Sequence, residues 1–172
     1  MKIDVRSILA GEVSSIPISY TLPQSELPEF DDVTYSGDVR VDGRLTDNAG
    51  YMCLKLACTL DYGTRCARCL EPVSCTLAVD FEKTVCREGE LQDRTSDDYL
   101  ELKDGMLDVD EALLEEVILN FPTRQLCRED CRGLCPKCGA NLNFESCGCQ
   151  KKEIDPRLAP LLKFFENDKN DG

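Results

Sequence analysis

From residue 1 to about residue 86 the apolar side chains recur mostly at every second position. Ile3 and Val5 alternate with Lys2 and Asp4. Val39, Val41 and Leu45 follow, with Gly43 interrupting. Met52, Leu54, Leu56, Cys58 and Leu60 form a long strict alternation, and Val73, Cys75, Leu77, Val79 and Phe81 form another. Side chains of an extended chain point alternately to its two faces, so this period predicts half-buried strands. Turn chemistry separates them at Asp47-Asn48-Ala49-Gly50 and at Asp61-Tyr62-Gly63. The strands are expected to form an antiparallel sheet or an open barrel. Residues 22–32, with Pro23 and Pro28 among acids, read as a loop or an irregular crossing.

Beyond residue 86 the pattern changes. Residues 87–98 have almost no apolar content and are expected to be a mobile loop. Tyr99, Leu100 and Leu102 predict a short strand, closed by Lys103-Asp104-Gly105. Val109, Leu113, Leu114, Val117, Ile118 and Phe121 then fall on one face of a helix of about residues 108–121. Asp108 suits its N-cap, Asp110 and Glu111 suit the positive end of its dipole, and Pro122 stops it. The expected fold is α+β: an antiparallel sheet or open barrel covered by one long helix. The body spans 1–126, a cysteine-rich zinc module 127–152, and a short helix with a disordered tail 153–172. In that last segment Asp155 would cap the helix, Pro156 would sit in its first turn, and residues 166–172 would be disordered.

Composition narrows the chemistry. The chain has 172 residues, 12 Cys, no His and no Trp. Without histidine there is no Ser-His-Asp triad, no Cys-His nucleophile pair and no mixed Cys/His zinc finger. Met1 to Tyr20 carries Asp4, Arg6 and Glu12 and lacks the apolar run of a signal peptide. No stretch is apolar enough to span a membrane. The chain therefore reads as cytoplasmic, where clustered thiols serve as metal ligands more often than as disulfides. The net charge is −13, from 20 basic and 33 acidic side chains. Residues 80–116 hold 4 basic and 14 acidic groups, whereas residues 117–172 hold 9 and 8. So acidic a chain repels polyanions in general, leaving only its last third suited to local RNA contact.

The candidate chemistry is in the cysteines. Cys66-Ala67-Arg68-Cys69 lies between two strand patterns. Cys127, Cys131, Cys135 and Cys138 follow the helix, then Cys147 and Cys149. Two thiolates three residues apart can grip one ion when the loop between them turns tightly, and Gly139 allows the positive φ that such a turn needs. Cys135, Cys138, Cys147 and Cys149 therefore form a candidate zinc site. The half-sites Cys66/Cys69 and Cys127/Cys131 make a second if the helix brings them together. Two alternatives stand beside this pairing: Cys58 and Cys75 completing a local site with Cys66/Cys69, or all six C-terminal cysteines competing for one ion. Cys58 and Cys75 share register with strand core residues and read as buried packing. Cys53 and Cys86 have no partner at ligand spacing. Four protein thiolates also suit rubredoxin-type iron or an iron–sulfur cluster. Zinc, one or two structural ions, is favoured because a closed site does no chemistry and stabilises short segments lacking a core. A thioredoxin-like role for Cys66/Cys69 fails for want of a βαβ unit.

Several of these motifs together resemble the YceD-like family of bacterial and plastid proteins. They are Cys66-Ala-Arg-Cys69-Leu-Glu-Pro72, the helix ending Ile118-Leu-Asn-Phe-Pro122, and Leu126-Cys127 with Asp130-Cys131-Arg-Gly-Leu-Cys135-Pro-Lys-Cys138-Gly139. Asn141-Leu-Asn143, Cys147-Gly-Cys149 and Ile154-Asp-Pro-Arg157-Leu-Ala-Pro160-Leu complete the set. The resemblance implies a role in accumulation of large-subunit (23S) ribosomal RNA, without known catalysis. Bacterial members often sit genetically beside a large-subunit ribosomal protein, which makes such a protein, or a pre-50S particle, the expected partner. Arg124, Arg128, Arg132, Lys137, Lys151, Lys152 and Arg157 are candidates for local rRNA contact. No small-molecule substrate is expected. The alternative function is a redox-sensing zinc protein that releases its metal when Cys135/Cys138 and Cys147/Cys149 are oxidised. An enzyme is not expected: no phosphate loop or dinucleotide fingerprint occurs, and Asp108, Asp110, Glu111, Glu115 and Glu116 read as a wet helix face rather than a magnesium site.

Overall fold

The computed structural model describes residues 1–87, 89 and 99–149. Most of the expected loop 87–98 and the whole of the expected helix and tail 153–172 lie outside those residues. The strongest alternations become the longest strands. They are β4 (Val39–Asn48), β5 (Tyr51–Arg65) and β6 (Pro72–Cys86). Along β5, Met52, Leu54, Leu56, Cys58, Leu60 and Tyr62 are buried, while Lys55, Thr59 and Asp61 face out. The hairpin between β4 and β5 turns at Asp47–Gly50 as expected, with positive φ at Ala49 and Gly50. Asp61-Tyr62-Gly63 is not a turn. It continues β5, because Tyr62 is drawn into the core and Gly63 pairs with Thr34 on one side and Ser74 on the other.

The main sheet runs β2-β4-β5-β6-β7, where β2 is Ser15–Leu22 and β7 is Tyr99–Glu101. The two-residue β3 (Thr34–Tyr35) adds to β5. The sheet is open, with no closed barrel among the described residues. All its pairings are antiparallel except β6 with β7. A separate ribbon joins β1 (Lys2–Asp4) to β8 (Met106–Asp108). Strand β2 alternates as well, with Ile16, Ile18, Tyr20 and Leu22 less exposed than Ser15, Pro17, Ser19 and Thr21. At Gly43 the strands approach so closely that a Cβ would stand 2.1 Å from the Lys55 carbonyl oxygen.

The expected long helix is a short one. After a single turn α1 (Arg6–Leu9), the main helix α2 covers Val109–Asn120, 12 residues. At 1.5 Å per residue that is about 18 Å, against about 50 Å for a 15-residue strand such as β5. It cannot cover the sheet, and it packs on β6 and β1. Asp108 caps it as expected, accepting the Glu111 backbone N–H at 3.3 Å. Val109, Ala112, Leu113 and Val117 are buried, but Ile118 is 52 % exposed, so the apolar stripe is narrower than its sequence suggests.

One inward residue is charged. Lys83 stands in register with Val79, Phe81 and Val85 and is 4 % exposed. Its ammonium meets Glu116 at 2.9 Å and Glu115 at 3.6 Å, pinning α2 to β6. Other acids of the helix region are tethers too: Asp108 pairs with Lys2, Glu111 with Lys103, and Asp110 accepts the Tyr20 hydroxyl at 2.6 Å. The chain divides into two compact units, Met1–Cys131 and Arg132–Gly172. Cys127 and Cys131 fall in the first of these units.

Candidate metal centres

Strand β5 ends at Arg65 and β6 begins at Pro72, and the chain reverses between them around Cys66 and Cys69. The Cys66 N–H donates to the Glu71 carbonyl at 2.8 Å, and the Leu70 N–H donates back to the Cys66 carbonyl at 2.9 Å. Leu70 closes the turn with φ 62°. The second half-site follows α2. Pro122 ends the helix, and the next residues run back along the turn. Ala67 N–H donates to the Gln125 carbonyl at 2.8 Å, Gln125 Nε2 donates to the Tyr62 hydroxyl at 2.8 Å, and Arg68 Nη1 donates to the Cys131 carbonyl at 2.8 Å. These bonds bring Cys127 and Cys131 to Cys66 and Cys69.

The four sulfurs lie within 4.8 Å of one another. Cys66 Sγ is 3.7 Å from Cys131 Sγ, and Cys69 Sγ is 3.6 Å from Cys127 Sγ. A tetrahedron with metal–sulfur bonds of about 2.3 Å has edges of about 3.8 Å, so these separations fit one tetrahedral ion. They are far beyond the ~2.05 Å of a disulfide.

The second unit repeats the device. Cys135 N–H donates to the Ala140 carbonyl at 2.8 Å, and Gly139 N–H donates to the Cys135 carbonyl at 2.8 Å. Gly139 has φ 76°, as the spacing required. A bridge between Leu134 and Asn141, and an Arg132 N–H donated to Asn143 Oδ1 at 2.8 Å, tie the loop beneath. Cys135, Cys138, Cys147 and Cys149 place their sulfurs within 4.8 Å of one another. The two turns share one local geometry, with Leu70 standing where the second has Gly139.

The thiols of each group are shifted in opposite senses. Burial pushes the Cys66 thiol up, but the backbone N–H groups of Cys127, Arg68 and Cys69 outweigh it and hold it at about 6. Cys135 is likewise held at about 6, by the N–H groups of Cys138 and Lys137 and then by Cys147. Burial and the neighbouring thiols push Cys127 up to about 12, and the Cys138 thiol followed by burial does the same for Cys149. Each group thus holds one sulfur ready to ionise and another that resists. Four thiolates this close repel strongly, and a divalent cation at their centre offsets that repulsion.

All eight cysteines singled out by spacing fall into these two groups, and no acidic cluster among the described residues joins them. Cys58 points into the sheet core and Cys75 is half-buried on β6; neither reaches the first group. Cys53 donates to Glu82 at 3.1 Å. Spacing does not reveal the positioning roles of Tyr62, Arg68 and Gln125, which depend on contacts across 63 residues. No helix among the described residues is long and apolar enough to cross a membrane.

An open β sheet and two cysteine-only tetrads, each able to hold a metal ion, define a thiolate-rich class of small protein. The family described as large ribosomal RNA subunit accumulation protein YceD matches residues 54–165. The chain belongs to that family. An uncharacterized protein of Mycobacterium tuberculosis is 35 % identical over 102 residues, covering 58 % of this chain and 49 % of its own. The chloroplastic large ribosomal RNA subunit accumulation protein YCED homolog 1 of Arabidopsis thaliana is 32 % identical over 82 residues, 43 % of this chain and 26 % of its own. The uncharacterized protein YlbN of Bacillus subtilis is 24 % identical over 156 residues, 90 % of each chain. The match spans about half the length of the mycobacterial relatives. No solved structure matches.

Proposed function

We propose that this protein is a non-enzymatic factor in large-subunit biogenesis that supports 23S rRNA accumulation in the cytoplasm by binding a basic ribosomal protein or a pre-50S particle. The observation that carries this reading is the family match over residues 54–165. The charge distribution supports a protein partner over naked RNA. The unit Met1–Cys131 holds 13 basic and 27 acidic side chains, a field that attracts cationic proteins and repels phosphate backbones. The unit Arg132–Gly172 holds 7 and 6, so Arg132 and Lys137 can approach RNA locally once the partner has docked.

Each tetrad holds one structural zinc ion. Cys66, Cys69, Cys127 and Cys131 bind the first; Cys135, Cys138, Cys147 and Cys149 bind the second. With four protein ligands neither ion has an open position, so each contributes folding energy rather than chemistry. Depleting the protein should lower 23S rRNA relative to 16S rRNA, and the tagged protein should co-purify with pre-50S particles or large-subunit proteins. Recovery of neither, with rRNA unchanged, would overturn the reading. A second reading, metal release on oxidation, draws on the exposure of Cys127 and Cys138, one ligand in each tetrad. Retention of both ions under mild peroxide removes it.

A further inference from the structure

Beside the first tetrad lies an open groove of about 460 Å³. Its floor is aromatic: Phe30 stacks on Phe121 with ring centroids 4.1 Å apart, and Tyr62 leans on Phe121 at 4.9 Å. Leu70 and Ile118 also line it, 54 % and 52 % exposed. Both break a local rule. Ile118 belongs to the apolar stripe of α2 yet stays in water. Leu70 has φ 62°, a conformation that suits glycine and strains a branched side chain, and the matching corner of the second turn is Gly139. A large apolar side chain kept at a strained, wetted position marks a binding role rather than a folding one.

We propose that this groove seats an apolar side chain from an amphipathic, Lys/Arg-rich segment of a basic protein. The proposal rests on the function proposed above and names the surface through which it acts. The occupant follows from charge. The unit that contains the groove, Met1–Cys131, carries 27 acidic against 13 basic groups, and Asp31 and Asp32, which line the groove, make no ion pair among the described residues. Arg65 and Arg124 line it too, so its edge is balanced and the long-range attraction comes from the body as a whole. The first tetrad's turn lines the groove through Cys66, Ala67 and Leu70. Loss of metal from that tetrad therefore dismantles the groove.

The test uses the full metal-loaded chain and two probes: a labelled amphipathic Leu/Lys helical peptide, and total protein extracted from large ribosomal subunits. Leu70→Gly relieves the strain and should keep metal content and thermal stability, yet weaken binding of the peptide about tenfold, the effect of unburying one large apolar contact. Ile118→Glu should weaken it at least as much. An electrostatic field alone would leave Leu70→Gly neutral and make Ile118→Glu tighter, and that outcome overturns the proposal. Displacement of the peptide by single-stranded oligo(U) overturns it as well. Groove-dependent binding of the peptide without binding of any large-subunit protein would leave the groove standing and remove the ribosomal reading.

Discussion

The Lys83 ion pair gives the sharpest test of how the helix is fastened to the sheet. Lys83 is 4 % exposed, Glu116 is 15 % exposed and Glu115 is 56 % exposed. At an effective dielectric of about 20, opposite charges 2.9 Å apart attract by about 6 kcal/mol, and desolvation of the buried ammonium cancels much of it. The net value of the pair is small, but removing one partner strands a buried charge at a cost of about 3–5 kcal/mol. Glu116→Gln should therefore destabilise the body by about 2–4 kcal/mol, the remaining attraction to Glu115 softening the loss. Glu115→Gln, at the wet end, should cost no more than about 1 kcal/mol. Replacing both ends together, Lys83→Met with Glu116→Leu, should come within about 1 kcal/mol of wild type, because an apolar pair of similar volume needs no desolvation. Urea titrations followed by far-UV circular dichroism, with metal in excess for every variant, measure all three. Equal effects of Glu115→Gln and Glu116→Gln, or a double variant as damaged as Glu116→Gln, would show that Lys83 is not held by a buried pair with Glu116.

Three further outcomes follow from packing and charge. Gly43→Ala should destabilise by more than about 2 kcal/mol, since its Cβ would collide with the Lys55 carbonyl at 2.1 Å; a stability within 0.5 kcal/mol of wild type, on the order of an ordinary surface change, would contradict the strand spacing. Cys58→Val should leave metal content unchanged, because Cys58 is core and not ligand; loss of an ion would revive the local site. Burial also pushes the Cys58 thiol up to about 11 from an ordinary 9.0. The folded-state value is the higher one, so stability is complete below about pH 9, falls as the unfolded chain ionises, and levels near pH 11. Cys58→Val should shallow that alkaline fall, and an unchanged slope would show that Cys58 takes no part in it.

The central sheet was legible because β4, β5 and β6 each bury one face, which imposes a strict period of two. Ser15–Leu22 alternates too, at Ile16, Ile18, Tyr20 and Leu22, but Pro17 in its middle argues against a strand. It is an edge strand that tolerates Pro17, and Pro17, Ser19 and Thr21 all face water. Asp61-Tyr62-Gly63 looked like a turn on composition, but pairing on both sides overrides local preference. The helix was visible in position and cap, while its modest reach and the exposure of Ile118 depend on what packs against it. The second tetrad lay within fifteen residues, between Cys135 and Cys149, where spacing alone argues for four ligands. Pairing of Cys66/Cys69 with Cys127/Cys131 was one of several choices in sequence. It is decided by three hydrogen bonds around Ala67, Arg68 and Gln125, none of which leaves a periodic signature.

Two separate, closed thiolate centres should each hold one ion, and elemental analysis of the native protein counts them. The wild type should contain two zinc ions per chain. Cys66→Ser and Cys135→Ser should each contain one, with the remaining ion held by the intact tetrad. One ion in the wild type, or loss of both ions from either single variant, would contradict the account.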